Sequence, residues 1–248
     1  MLITPGTSGW SYPAWRGDFY APDLPAARML AAYAARLPTV EVNATAYRMP
    51  RRAMVAAWRA EVPPGFRFTL KAPQRITHKL RLVGAEEPVG FFLAAAAELG
   101  EAAGPLLFQL PPFLRKDLPR LRDFLALLPR GGRVVFEFRH QSWYDGEVLT
   151  ALADAGAALC VVDREDGPTP LVATAPFGYL RLRRPDYDDG ALADWLERIG
   201  TQPWGEAYVY FKHEDARGPA YALRLSALAG PQASVAPGAG PPEAPASR

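Results

Sequence analysis

Cysteine is almost missing from this chain. Cys160 stands alone among 248 residues, so no disulfide can form within the chain, and a reducing, cytoplasmic setting is expected. Cys160 lies in an apolar run and reads as a buried, inert thiol. Histidine is scarce as well: His78, His140 and His213 are the three in the sequence, and no pair has a recognised metal-ligand spacing. No apolar run approaches the roughly 20 residues that a membrane span requires. No charged-then-apolar leader opens the chain, and no membrane partner is expected. The net charge of +2 is too small to imply a polyanionic partner by itself. Gly6-Thr7-Ser8-Gly9 lacks both the Lys-Ser/Thr end of a phosphate-binding P-loop and the spacing of a dinucleotide fingerprint, so no nucleotide redox cofactor is expected.

What the chain does contain is an ordinary globular composition, 49% apolar and 22% charged, arranged as a regular alternation. Strand-like runs fall at residues 3–10, 39–43, 66–71, 106–110, 134–139, 157–163, 178–183 and 207–212. Segments of helical period and Ala/Leu/Arg/Glu composition lie between them, at 25–37, 51–61, 89–101, 118–128, 146–155 and 189–199. Asp189 is a candidate N-cap. Strand then helix, repeated over about 225 residues, predicts parallel pairing with right-handed crossovers, and eight repeats favour a closed TIM-type (β/α)8 barrel over an open sheet. The unit between strands 6 and 7 carries Pro168, Pro170 and Pro176 and is expected to be irregular rather than helical. Residues 1–229 read as one barrel domain, and the Pro/Ala/Gly-rich residues 230–248 as a disordered tail.

Successive strand residues point to opposite faces, so parity divides each run into a wall side and a lumen side. Val40 and Val42 oppose Glu41 and Asn43; Phe66, Phe68 and Leu70 oppose Arg67, Thr69 and Lys71; Glu137 shares a face with Arg139, and Tyr208 and Tyr210 share one with Lys212. The polar set expected at the strand ends is Glu41, Asn43, Lys71, Gln109, Glu137, Arg139, Asp163, Arg181 and Lys212. In such barrels the chemistry sits at the C-terminal ends of the strands. Carboxylates and cations in close proximity shift one another's pKa, as acid–base work requires. Glu41 and Glu137 are the acid/base candidates, with Lys71 and Asp163 completing the catalytic set. Trp10, Asn43, Tyr47, His78, Gln109, Arg139, His140, Trp143, Arg181 and Lys212 are the substrate-binding candidates. A small polar or anionic substrate would suit the four cations. The bland alternative is a ring of ion pairs that fills the barrel mouth.

The same residues carry a resemblance. Thr7-Ser8-Gly9-Trp10-Ser11-Tyr12 with Trp15, Gly17 and Phe19-Tyr20 is similar to the opening motif of the DUF72 (YecE-like) family. So are Val40-Glu41-Val42-Asn43 with Tyr47-Arg48-Met49-Pro50, Lys71 with Ile76-Thr77-His78, and Gln109-Leu110-Pro111-Pro112. Glu137-Phe138-Arg139-His140 with Ser142-Trp143, Asp163, Phe177-Gly178-Tyr179-Leu180-Arg181 and Tyr208-Val209-Tyr210-Phe211 complete the series to about residue 228. The resemblance implies a TIM-type barrel and no particular activity. The chain departs from it after the last strand, where Lys212-His213-Glu214-Asp215 stands in place of an Asn-Asn-Asp-like segment, and at Arg181-Leu182-Arg183-Arg184 in place of Arg-x-His-Gly.

Three functions compete at this level. The leading one is an enzyme with no cofactor, performing hydrolase or lyase-like acid–base chemistry at the barrel mouth. The second is a divalent-metal-dependent nuclease or sugar isomerase, by analogy with other barrels of this shape. The third is a non-catalytic module that binds nucleic acid or an anionic ligand through Arg139, Arg181, Arg183, Arg184 and the loop aromatics. No oligomeric state is predicted.

Overall fold

Eight parallel strands close into a barrel in the computed structural model, which describes residues 1–234. They are β1 (Leu2–Ser8), β2 (Thr39–Val42), β3 (Arg67–Lys71), β4 (Ala103–Gln109), β5 (Val134–Glu137), β6 (Ala158–Asp163), β7 (Phe177–Leu182) and β8 (Glu206–Phe211). Each strand pairs with the next in sequence, and β8 closes on β1 from Leu2 opposite Glu206 to Thr7 opposite Phe211. The helices that wrap the barrel are α1 (Met29–Ala34), α2 (Ala44–Tyr47), α3 (Arg52–Ala60), α4 (Glu86–Ala97), α5 (Leu118–Leu125), α6 (Gly146–Asp154), α7 (Asp189–Gly200) and α8 (Arg217–Ala229). No described helix is long and apolar enough to cross a membrane.

Local chemistry explains where the helices start. Asp117 and Asp145 each accept a hydrogen bond from a first-turn backbone N–H, Arg120 N at 3.1 Å and Glu147 N at 3.0 Å. This satisfies one of the donors a helix start leaves free. At α7 the cap is Asp188, which accepts from Ala191 N at 2.8 Å, and not the expected Asp189. Asp189 lies one residue inside the helix and pairs instead with Arg224 of α8.

Two separate apolar sets follow from strand parity. One lies between sheet and helices and includes Val40, Val42, Phe66, Phe68, Leu70, Phe108, Phe136, Leu159 and Val161. The other fills the lumen: Leu107, Val135, Ala158, Cys160, Val162, Phe177, Tyr179, Tyr208 and Tyr210. Each fully buried side chain of this size contributes about 1.5–3 kcal/mol. Gly6 lies where β1 approaches β2 closely, since a Cβ there would stand 2.2 Å from the Thr39 carbonyl oxygen. That approach sets the register that puts Ser8 opposite Glu41.

Residues 164–176 form no crossover helix, as their prolines predict. Two threonines tie the segment to β6: Thr169 Oγ1 accepts from Val162 N, and Thr174 Oγ1 accepts from Leu159 N, both at 2.9 Å. At the far end, structure continues past the expected boundary at 229. Gly230–Gln232 forms a 3-10 turn, Ala233 bridges to Ile3, and Ser234 N donates to the Ile3 carbonyl at 2.6 Å. Of the first five residues assigned to the tail, Ala233 and Ser234 therefore pair with β1. The remainder of that segment, 235–248, lies outside the described residues.

Candidate active site

The upper lumen begins with two carboxylates and one guanidinium. Glu41 ends the lumen face of β2, Glu137 that of β5 and Arg181 that of β7. Their exposures are 0%, 1% and 1%, so water cannot compensate their charge. Arg181 Nη2 donates to Glu41 Oε1 at 2.8 Å and Nη1 donates to Glu137 Oε2 at 2.6 Å. Ser8 Oγ and Tyr179 OH each donate to Glu41 at 2.5 Å, and Gln109 Nε2 donates to Glu137 Oε1 at 2.8 Å. Every carboxylate oxygen has a donor. Burial alone would push both carboxyls up, but the Arg181 guanidinium and these hydrogen bonds outweigh it and hold both below their ordinary range. Beneath this tier, Tyr210 OH lies 2.7 Å from Thr39 Oγ1 and 2.8 Å from Thr69 Oγ1.

A second tier lies two residues further along the same faces. Lys71 ends β3, and Arg139, Arg183 and Lys212 follow β5, β7 and β8 at lumen parity. None of these four forms an ion pair within 4.0 Å with a described residue. Burial, and then repulsion from Arg181, push the Lys71 ammonium down to about 8, with Glu41 and Glu137 only partly opposing. Lys212 is depressed by burial and by Arg183 and Arg181. His78, from the turn after β3, is depressed by burial and by Lys71 and Arg139, which places its imidazole among the rim cations. One guanidinium against two carboxylates leaves the lower tier with a single negative charge. The four upper cations exceed it, and the mouth as a whole is positive.

Several expected site residues lie elsewhere. Asp163 does not face the lumen: Val162 takes that side of β6, and Asp163 Oδ2 accepts from Tyr187 OH and from Trp195 Nε1 of α7, both at 3.0 Å. It is an anchor between sheet and helix. Trp143 is wholly buried, stacked on Phe138 at 4.8 Å, with its indole N–H donating to the Leu114 carbonyl at 2.7 Å; it is core and no substrate platform. His140 caps the short turn Gln141–Trp143 by accepting from Ser142 N at 3.2 Å. Trp10 packs edge-on against Trp58 of α3 at 5.7 Å. Tyr47, on α2, is 79% exposed. Asn43 precedes α2, half-buried, and its side chain makes no cap bond. Arg184 lies over the Tyr187 ring at 5.4 Å, apart from the mouth. Among the described residues, no three His, Cys, Asp or Glu side chains gather as a metal-ligand set.

Two participants were absent from the expected site. Ser8 and Tyr179 bond Glu41 directly, and both were legible by parity: Ser8 opposes Glu41 in register, and Tyr179 precedes Arg181 by two. Tyr12 also reaches the site, its OH donating to the Ser8 carbonyl at 2.9 Å. A cavity of about 790 Å³ opens at the opposite end of the barrel, beside Leu128, Pro129, Arg130, Asp154 and Gly156. None of the strand-end polar residues borders it.

Comparison with known proteins agrees with this architecture. Residues 4–246 match the model of a family described as protein of unknown function DUF72. The UPF0759 protein YecE of Escherichia coli K12 is 32% identical over 145 residues, which is 58% of this chain and 50% of that protein. The chain thus spans about half the length of that relative. The UPF0759 protein YunF of Bacillus subtilis 168 is 24% identical over 225 residues, 84% of this chain and 78% of that one. The crystal structure of a DUF72 family protein from Thermotoga maritima MSB8 superposes with a TM-score of 0.77 at 26% identity, covering 91% of this chain and 97% of the other. A second, from Enterococcus faecalis V583, gives 0.72 at 22% identity over 92% and 97%, and speaks to the fold alone.

Proposed function

The chain belongs to the DUF72 family, whose description names no activity, and from the geometry of its barrel mouth we propose that it is an enzyme acting on a small anionic substrate by acid–base chemistry of the hydrolase or lyase type. One observation carries this reading: four cations without acidic partners among the described residues, Lys71, Arg139, Arg183 and Lys212, stand above a floor whose carboxylates are already saturated with donors. Lys71, Arg183 and Lys212 are only partly exposed, where an unpaired charge is costly, and an anion entering the mouth would neutralise them. The proposal moves the acid–base role. Glu41 and Glu137 are held ionised and fully bonded, so they set the field of the site and transfer no proton. Lys71, pushed down to about 8, is the group that can exchange a proton near neutral pH.

Titration calorimetry with inorganic phosphate and small dicarboxylates at low ionic strength tests the reading. Binding should weaken as salt is raised, and Arg183→Gln should weaken it several-fold. Failure of every small anion to bind, or binding that ignores the loss of rim cations, would overturn the proposal.

A further inference from the structure

We propose that Lys71 is an amine nucleophile that condenses with the carbonyl carbon of a small 2-oxo acid to form an imine. This inference rests on the anionic-substrate reading above and narrows its substrate class.

The choice of residue is the first argument. The chain holds 28 cationic side chains, of which only four are lysine: Lys71, Lys79, Lys116 and Lys212. Lys79 is exposed, and Lys116 is paired with Asp145 and Glu147 at 2.6 and 2.7 Å. The other two stand at lumen strand ends. Arginine would serve as well or better for holding an anion by charge, but it cannot give up its proton. Position is the second argument. The Lys71 carbonyl accepts from Thr45 Oγ1 at 2.7 Å, and the next N–H, of Ala72, donates to the Leu107 carbonyl at 2.8 Å. The strand end is therefore fixed, while no described carboxylate lies within 4.0 Å of the amine. The third argument is the field. Lys71 is faced by Glu41 of β2, His78 from the turn after β3, Glu137 of β5, Arg181 of β7 and Lys212 after β8. Burial and the cations outweigh the carboxylates, which leaves part of the amine neutral near neutral pH.

The chemistry balances without redox. The neutral Nζ lone pair adds to the carbonyl carbon, and one proton passes from the nitrogen to the carbonyl oxygen to give a neutral carbinolamine. A second proton, delivered through the mouth, lets the hydroxyl leave as water while the nitrogen lone pair forms the C=N bond and the nitrogen's proton departs. Amine and ketone become imine and water. Protonated, that imine draws electrons from a neighbouring bond, as a lyase requires, while Arg139 and Arg183 can hold the carboxylate.

The test treats the full chain with pyruvate and sodium cyanoborohydride, whose hydride reduces the imine to a stable secondary amine, and maps the product by peptide mass spectrometry. One adduct is expected on Lys71, in about tenfold excess over Lys79 and Lys116, with yield half-maximal near pH 8 and suppressed by inorganic phosphate. Lys71→Arg should abolish the adduct and keep phosphate binding within a few-fold. If that variant does not fold, the wild-type peptide map decides alone. Phosphate binding without selective labelling of Lys71 would overturn the imine and leave the anion site standing. Absence of both binding and labelling would overturn the two together.

Discussion

Two successive tiers of side chains along the barrel axis are built on opposite electrostatic terms. Glu41, Glu137 and Arg181 are sealed from water and bonded at every carboxylate oxygen. Lys71, Arg139, Arg183 and Lys212, just above, have no acidic partner among the described residues. A buried ion network is stable only while every member stays in place, because removing one strands the others. An unpartnered cation that is partly buried, as Lys71, Arg183 and Lys212 are, is the reverse: folding gains nothing from it, and the proposed anion would neutralise it. Loss of a lower-tier charge should therefore cost stability, and loss of an upper-tier charge should cost anion binding without costing stability.

The largest effect should come from Arg181→Met. It leaves two buried carboxylates without their cation, at a cost of about 3–5 kcal/mol, read as a fall in the urea midpoint. Adding Glu41→Gln and Glu137→Gln to that variant should restore much of the loss. A loss below about 1 kcal/mol in the single variant would erase the distinction between the tiers.

Acid provides the next test. The folded-state pKa values of Glu41 and Glu137 lie below the ordinary 4.5. Their stabilisation is thus fully present above that value and is lost as pH falls through the lower, folded-state values. The stability gap between wild type and Glu137→Gln, about 1–3 kcal/mol at pH 7, should hold to about pH 4.5 and close only below it. A gap that closed between pH 7 and 5 would mean the carboxyl is not held ionised.

The polar set at the strand ends was partly legible in the sequence, as one group with no division into tiers. Parity works where a strand alternates, and it identified Glu41, Lys71, Glu137, Arg139 and Lys212 because Val or Phe marks the wall at every other position. It failed on β6. Leu159, Cys160, Val161 and Val162 are all apolar and all buried, since a barrel strand is covered on both faces and need not alternate. Nothing in that run tells wall from lumen, and Asp163 was placed on the wrong side. The loop residues failed for another reason. Trp143 and His140 lie just past a strand end in sequence, but the short turn at Gln141–Trp143 folds the indole into the core. Pairing, too, was beyond the sequence: counting three carboxylates and four cations cannot say that one guanidinium would take two carboxylates and leave the rest free.

At the rim, Lys71→Met should raise stability at neutral pH. The folded-state pKa of Lys71 is about 8 against an ordinary 10.5, so below pH 8 the folded protein bears the cost of a disfavoured charge. That cost is relieved as pH rises from 8 towards 10.5, where the folded amine is neutral and the unfolded one is still protonated. The variant should therefore melt a few degrees above wild type at pH 7, and its advantage should fade by pH 10. A variant that melts lower at pH 7 would show Lys71 to be a bonded member of the floor.

The smallest shift, and the most discriminating, belongs to a residue in neither tier. Asp163 is an acid at a barrel strand end, as Glu137 is, but its oxygen joins β6 to Tyr187 and to Trp195 of α7. Asp163→Asn keeps the shape and one carbonyl acceptor, and it weakens two hydrogen bonds by removing the charge, at a cost of about 1 kcal/mol. Chemical denaturation should detect that loss, while phosphate affinity should stay at the wild-type value because the side chain is screened from the mouth by the strand itself. Glu137→Gln should do the opposite to binding: with one negative charge removed beneath the rim cations, the mouth becomes more positive and phosphate should bind more tightly. Two conservative acid-to-amide changes at neighbouring strand ends would then both lower stability and divide on affinity. If both altered affinity alike, the side of the sheet on which a carboxylate lies would not govern its role.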